Sequence, residues 1–148
     1  KYKDFEAEFD TQVQQVSEEV QKSIPNALEN SNLKLPFKNA KSRLLAIAEI
    51  APRAAILESW LQIETAAVHL IVKNSGKEGY PLEGPTNLLL ELQKLNVMDY
   101  KQLNICQTLR YLRNKAVHIQ DEDFTKEATV QYIESALSIA SFLEEKTN

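Results

Sequence analysis

Arg113, Asn114 and His118 are the residues whose types and spacing could support chemistry. An imidazole exchanges protons with hydroxyl groups near neutral pH, and a guanidinium fork can hold two phosphate oxygens and stabilise the charge that develops on them. The amide of Asn114 could orient either group. These side chains indicate a metal-independent phosphodiester site, with Arg110 and Lys115 as supporting cations.

The same residues also have a purely structural interpretation. Arg113 and Lys115 can be solvated charges, and a protonated histidine at a helix C-terminus is favoured by the helix dipole. On a regular helix Asn114 and His118 share one face, whereas Arg113 lies ~140° away from His118. The two would converge only where the helix frays or turns, which the segment 120–123 permits while placing acids near the imidazole. Spacing alone favours the structural interpretation.

The composition favours a single all-α domain. A chain of 148 residues can bury a sizeable core, and its hydrophobic fraction, 43%, is ordinary for a globular protein. Its 3 glycines are too few for the turns and bulges of a β-rich domain. The net charge of −4 argues against a general duplex-DNA binder but is compatible with a local basic pocket.

The hydrophobic pattern predicts a bundle of five or six helices around one core. The longest apolar helix, which carries Trp60 as a core anchor, should be its spine. We expect Thr86 to cap the fourth helix, Asp99 the fifth, and Asp123 or Thr125 the last. The predicted helices span 10–23, 39–50, 52–73, 87–94, 99–118 and 125–146.

The N-terminal part is less regular. Residues 2–9 alternate apolar residues with acids, which suits an extended or loosely ordered segment, although their aromatic residues also fit one side of a helix. We expect the extended form, followed by a helix that Asp10 or Thr11 caps.

Prolines and asparagines at 24–38 predict a linker after this first helix. The chain therefore divides into an N-terminal segment, 1–38, and a helical bundle, 39–148, which we expect to fold as one unit.

The stretch from Leu112 to His118 (Leu-Arg-Asn-Lys-Ala-Val-His) resembles the motif of HEPN domains. In that family an Arg, often followed directly by a polar residue, precedes a His with four to six residues between them. Here four residues separate Arg113 from His118, and Asn114 is the polar residue. The segment 51–60 is similar to the long first core helix of bacterial members of unknown function, and the resemblance covers about residues 40–146.

HEPN domains are helical bundles that usually form homodimers, with the two Arg/His motifs facing each other across the symmetry axis. Many are RNases in toxin, anti-phage or RNA-processing systems, whereas others have lost activity and serve as binding modules. The resemblance implies that Arg113 and His118 are catalytic and that Asn114 supports them. Glu58, on the long helix, is a weaker candidate for a supporting acid, since a solvated helix charge explains it better.

Two function hypotheses follow. The first is a metal-independent endoribonuclease that acts as a homodimer on RNA, without a cofactor. The second is an inactive dimerisation module that binds a nucleotide or a partner protein, and the acidic net charge of −4 favours it. The complete Arg-Asn…His pattern favours the first.

The N-terminal residues give an expectation for the cellular location of the protein. The opening residues 1–9 resemble a segment that follows a membrane helix in some bacterial members, which implies either a cytoplasmic protein or the cytoplasmic part of one anchored through residues before Lys1.

Cys106 is expected to pack in or beside the core, because a reactive thiolate needs an exposed, electropositive setting. His69 is expected to be partly buried and hydrogen-bonded, and no metal site is predicted.

Overall fold

The computed structural model describes residues 2–24, 34–75 and 85–147, and this part of the chain is an all-α bundle, as predicted. Within these residues there are six α-helices, one short 3-10 turn and no β-strand. The loop that holds the glycines, and residues 25–33 of the predicted linker, lie outside the described residues. The elements are α1 (Tyr2–Ser23), α2 (Leu35–Ile50), α3 (Pro52–Ser75), α4 (Pro85–Leu95), α5 (Tyr100–Ala116), the turn Asp121–Asp123 and α6 (Lys126–Thr147).

The expectation of an extended N-terminus is wrong, because α1 already covers this segment. Phe9 is fully buried, with its ring edge-on to Phe124 at 5.3 Å between centroids and stacked on Tyr132 at 6.3 Å. Docking of this ring onto the bundle outweighs the alternating pattern of the sequence. The predicted caps, Asp10 and Thr11, consequently lie inside the helix.

The predicted linker, 24–38, is too long at its C-terminal end, because α2 begins 4 residues before the predicted start at Asn39. Pro36 occupies the first turn, where a missing N–H costs nothing, and Phe37 is buried beside it. Ala51 then interrupts the helical backbone, and α3 starts at Pro52 as predicted.

The centre of the bundle is the pairing of α3 with α6, and the other helices pack around it. Trp60 is the predicted core anchor on α3, with 1% of its surface exposed. On α6, the hydroxyl of Tyr132 donates to the Leu109 carbonyl at 2.8 Å, which ties α6 to α5. Thr125 caps α6 by accepting the Ala128 N–H at 3.1 Å, so one of the two predicted caps is confirmed. The predicted inward residues of α6 are buried, namely Ala128, Tyr132, Ala136, Ile139 and Leu143.

The connection from α4 to α5 is fixed by local polar contacts. Asn96 ends α4 with a positive φ of 57°, a conformation that asparagine tolerates at a helix C-terminus. Asp99 caps α5 as predicted, in a reciprocal capping box with Gln102. Cys106 is buried beside Met98, and burial raises the pKa of its thiol to about 12. The prediction that this cysteine packs in the core is therefore confirmed.

Two further expectations are corrected by the structure. Because α4 begins at Pro85, Thr86 lies inside the helix and does not precede it. His69 is exposed, with 58% of its side-chain surface accessible, and not partly buried. It is hydrogen-bonded as predicted, to the Glu144 carboxylate at 2.9 Å.

By length and composition, α3 is also the one described helix that could cross a membrane. Half of its apolar stretch, Pro52–Asn74, is buried within the bundle. A central core helix meets the same criterion, and this is the place that α3 takes here.

The docking of α1 can be measured with Phe9→Ala. Loss of a fully buried aromatic ring should lower the free energy of unfolding by about 3–5 kcal/mol in urea denaturation. Tyr100→Ala is the matched control, because Tyr100 is 85% exposed, and it should cost less than about 0.5 kcal/mol. Equal losses for the two variants would contradict a docked N-terminal half of α1.

Candidate functional site

The predicted motif lies at the C-terminal end of α5, which stops at Ala116 and not at the predicted His118. The N–H groups of His118 and Ile119 donate to carbonyls three residues back, at 3.0 and 3.1 Å, so the helix tightens into a 3-10 turn. Ile119 is buried, with 2% of its surface exposed, and it fixes this turn to the bundle. His118, one residue earlier, is left exposed to solvent.

Arg113 and Asn114 contact each other on the last turn of α5. The guanidinium donates to the Asn114 Oδ1 at 3.3 Å; Arg113 is half-buried and Asn114 is exposed. Among the described residues, the His118 ring has no hydrogen-bond partner. The turn therefore places all three predicted side chains at one helix end, but it does not bring the imidazole into contact with the guanidinium.

The two predicted supporting cations point away from this helix end. Lys115 pairs with Glu8 of α1 at 3.0 Å, and its ammonium lies over the Tyr111 ring, 5.3 Å from the centroid. Burial acts to lower the pKa of Lys115, but its hydrogen bonds and charge interactions with Glu8 and Tyr111 outweigh that effect and raise the pKa. Arg110 lines a groove of about 290 Å³ between α4 and α5, beside Gln107. Lys115 thus helps to hold α1 in place.

The structure offers a different acid from the one that the resemblance implies. Glu58 lies 4.0 Å from Arg43 of α2 in an exposed ion pair. The carboxyl that interacts with Arg113 is Glu64, two turns further along α3. Burial raises the pKa of Glu64, and the positive charge of Arg113 opposes that shift. Glu64 is absent from the predicted site residues because no local motif marks it in the sequence.

The turn after α5 is connected to the start of α3 by a second arginine. The Arg53 side chain donates to the Val117 carbonyl at 3.5 Å, and its backbone N–H donates to the Asp121 carboxylate at 3.0 Å. Asp121 therefore caps α3. The expectation that this acid lies beside the imidazole of His118 is not met, because its carboxylate is bound to the first turn of α3. The backbone of the turn that carries His118 is held from both sides by these contacts.

One copy of the chain presents an open and incomplete site. It has a half-buried guanidinium that donates to an amide and interacts with the charge of an acid, and an imidazole at the same helix end without an orienting partner among the described residues. Within those residues no three His, Cys, Asp or Glu side chains gather as a metal ion would require. Such a site can bind an anion and exchange a proton, and a second group must complete it for a two-step proton transfer.

Comparison with known proteins adds no relative. The chain matches no model of a protein family, and no curated protein or solved structure shows significant similarity to it.

The interaction between Glu64 and Arg113 can be measured directly by NMR titration of the Glu64 carboxyl carbon. Arg113→Gln removes the cation that lowers the pKa of this partly buried carboxyl, so the pKa should rise further. Arg43→Gln is the control, since Arg43 pairs with Glu58, and it should leave the Glu64 pKa unchanged. An unchanged or lower pKa in Arg113→Gln would show that the two groups do not interact.

Proposed function

We propose that the protein is a metal-independent endoribonuclease of the HEPN type that acts as a homodimer on cytoplasmic RNA. The observation that carries the proposal is the exposed end of α5, where the His118 ring has no partner among the described residues and the half-buried Arg113 donates to Asn114 and interacts with the charge of Glu64. The resemblance of this stretch to the HEPN motif supplies the reaction class.

The neighbouring polar groups support this assignment because they are engaged elsewhere. Lys115 is paired with α1, and Asp121 is bound to the first turn of α3. An anionic substrate that reaches this helix end would therefore meet Arg113 and His118. A guanidinium forms two parallel hydrogen bonds to a phosphate, which suits it to this position.

A second copy would supply the missing proton-transfer group. Cleavage next to a ribose requires a base that takes the 2′-hydroxyl proton and an acid that gives a proton to the leaving 5′-oxygen. The His118 side chains of two copies could divide these roles. Val117, 40% exposed, and Leu61, 47% exposed on α3 one turn from Glu64, provide apolar surface near this end for such an association.

The proposed reaction balances without a metal or a cofactor. One imidazole removes the 2′-hydroxyl proton as that oxygen attacks the adjacent phosphorus. The bond from phosphorus to the 5′-oxygen breaks, and the second imidazole protonates the departing oxygen. The products are a 2′,3′-cyclic phosphate and a 5′-hydroxyl, and Arg113 stabilises the additional negative charge on the phosphate oxygens during transfer.

The alternative is an inactive dimerisation module that binds a nucleotide or a partner protein. The observation in its favour is that the described residues offer no acid or carbonyl to orient the His118 ring. In this case the Arg113–Asn114 pair would bind a phosphate group without cleaving it.

The proposal is tested by incubating the purified protein with labelled single-stranded RNA in the presence of EDTA. The wild type should yield fragments that end in a 2′,3′-cyclic phosphate. Loss of the proton-transferring group in His118→Ala should lower the rate by roughly 10²–10⁴-fold. His69→Ala is the matched control, because His69 is the other histidine of the chain and pairs with Glu144; it should cleave at the wild-type rate.

Equal products from the wild type and His118→Ala would reject the assignment of His118. If none of the three proteins cleaves RNA, the inactive binding module is the better description.

A further inference from the structure

A second concave surface lies where α2 ends and α6 begins. This groove has a volume of about 690 Å³, within the range of small-ligand and side-chain pockets. Ile50 stands at its edge with 86% of its surface exposed, the largest fraction among the big apolar side chains that the structure describes. The apolar lining consists of Leu45, Ala48, Ile50, Pro52, Phe124 and Val130.

The charged lining of the groove is predominantly acidic. Glu49, Asp121 and Glu122 contribute three carboxylates, against the single ammonium of Lys126. Lys126 pairs with Glu49 at 3.2 Å, but both side chains are well exposed, at 80% and 65%. An exposed pair of this kind opens at little cost, so Glu49 is available to another cation.

The C-terminus of α2 adds to the negative potential of the groove, because it carries the negative end of the helix dipole and its last turn contains no basic residue. The N-termini of α3 and α6 also meet here with the positive ends of their dipoles, and an oxygen caps each of them: Asp121 accepts the Arg53 N–H, and Thr125 accepts the Ala128 N–H. The preference for cations therefore rests mainly on the carboxylates of the lining. The groove thus combines an apolar floor with an electrostatic preference for cations.

We propose that this groove binds a short peptide segment of a partner protein, in which one bulky apolar side chain is flanked by Lys or Arg. The apolar side chain would cover Ile50 and Val130, and the cations would face Glu49 and Glu122. A second copy of this chain docked groove to groove is the less suitable occupant, because the two acidic linings would repel each other. The proposal is independent of RNA cleavage at His118.

The test titrates three blocked hexapeptides into the protein. Binding is monitored through the chemical shifts of the protein's backbone amides in NMR spectra. The first is Gly-Gly-Arg-Phe-Lys-Gly, the second replaces its cations (Gly-Gly-Glu-Phe-Asp-Gly), and the third replaces its apolar residue (Gly-Gly-Arg-Gln-Lys-Gly). Only the first should give saturable shifts, and these should cluster at residues 45–52 and 121–130. Equal binding of the acidic peptide, shifts that map elsewhere, or no saturation with the first peptide would overturn the proposal.

Substitutions of exposed residues at the rim of the groove then test how charge and apolar contact each contribute to the peptide affinity. These substitutions leave the buried core unchanged. Glu122→Lys should weaken binding of the first peptide by about fivefold or more, and Ile50→Ser should weaken it about tenfold. Lys126→Gln should strengthen it, because it removes the one cation that the described residues contribute to the lining. Glu145→Lys and Leu35→Ser are exposed controls outside the groove and should leave the affinity unchanged. Sedimentation that shows Ile50→Ser breaking a dimer would instead assign the groove to a second copy.

Discussion

The connection between Asp121 and the first turn of α3 is the constraint on which the candidate site depends. Asp121 accepts the Arg53 N–H, and the Arg53 side chain donates to the Val117 carbonyl, so the turn after α5 is attached to the long central helix. Burial of Ile119 holds the same turn from the inside. With its backbone fixed on both flanks, His118 is directed into solvent at a defined position. Charged or polar side chains that are presented by a fixed backbone are better placed for binding than those on a loose loop.

This arrangement also leaves the proposed site incomplete within one chain. Arg113 donates to Asn114 and interacts with the charge of Glu64 in its own chain. The imidazole has no comparable partner among the residues that the structure describes. A phosphodiester site built from these parts must therefore be completed by a second molecule, and a two-fold arrangement supplies a second imidazole together with a second guanidinium. Asp121 also lines the acidic groove at the end of α2. The turn that Asp121 attaches to α3 therefore borders both the groove and the candidate site at the end of α5.

Features with a local origin could be predicted from the sequence. The helical period of the apolar residues predicted the bundle and the inward face of α6. The preference of Asp and Thr for the position before a helix predicted the caps at Asp99 and Thr125. The N-terminal half of α1 could not be predicted in this way, because Phe9 is buried by Phe124, more than a hundred residues away in the chain. Local alternation of apolar and acidic residues was misleading in the absence of that partner.

The same distinction applies to the candidate site. Arg113, Asn114 and His118 stand close together in the sequence, and their shared helix end follows from that spacing. Glu64 and Arg53 come from a different helix, and only tertiary packing brings them to α5. The expected supporting roles of Lys115 and Glu58 were inferred from proximity in sequence or from resemblance, whereas the structure pairs them with Glu8 and Arg43.

The central claim, that two copies of this helix end complete one site, is tested most directly by pulsed electron–electron distance measurements on spin-labelled protein. Cys106 is buried and would stay unlabelled, so a label on the exposed position Gln120→Cys reports the site end alone. A label on Glu145→Cys reports the far end of α3, because His69, which pairs with Glu144, lies ~24 Å along that helix from Arg53. We expect dipolar coupling within the dimer with a shorter distance for labels at 120 than for labels at 145. An absence of coupling, or a shorter distance at 145, would contradict the account.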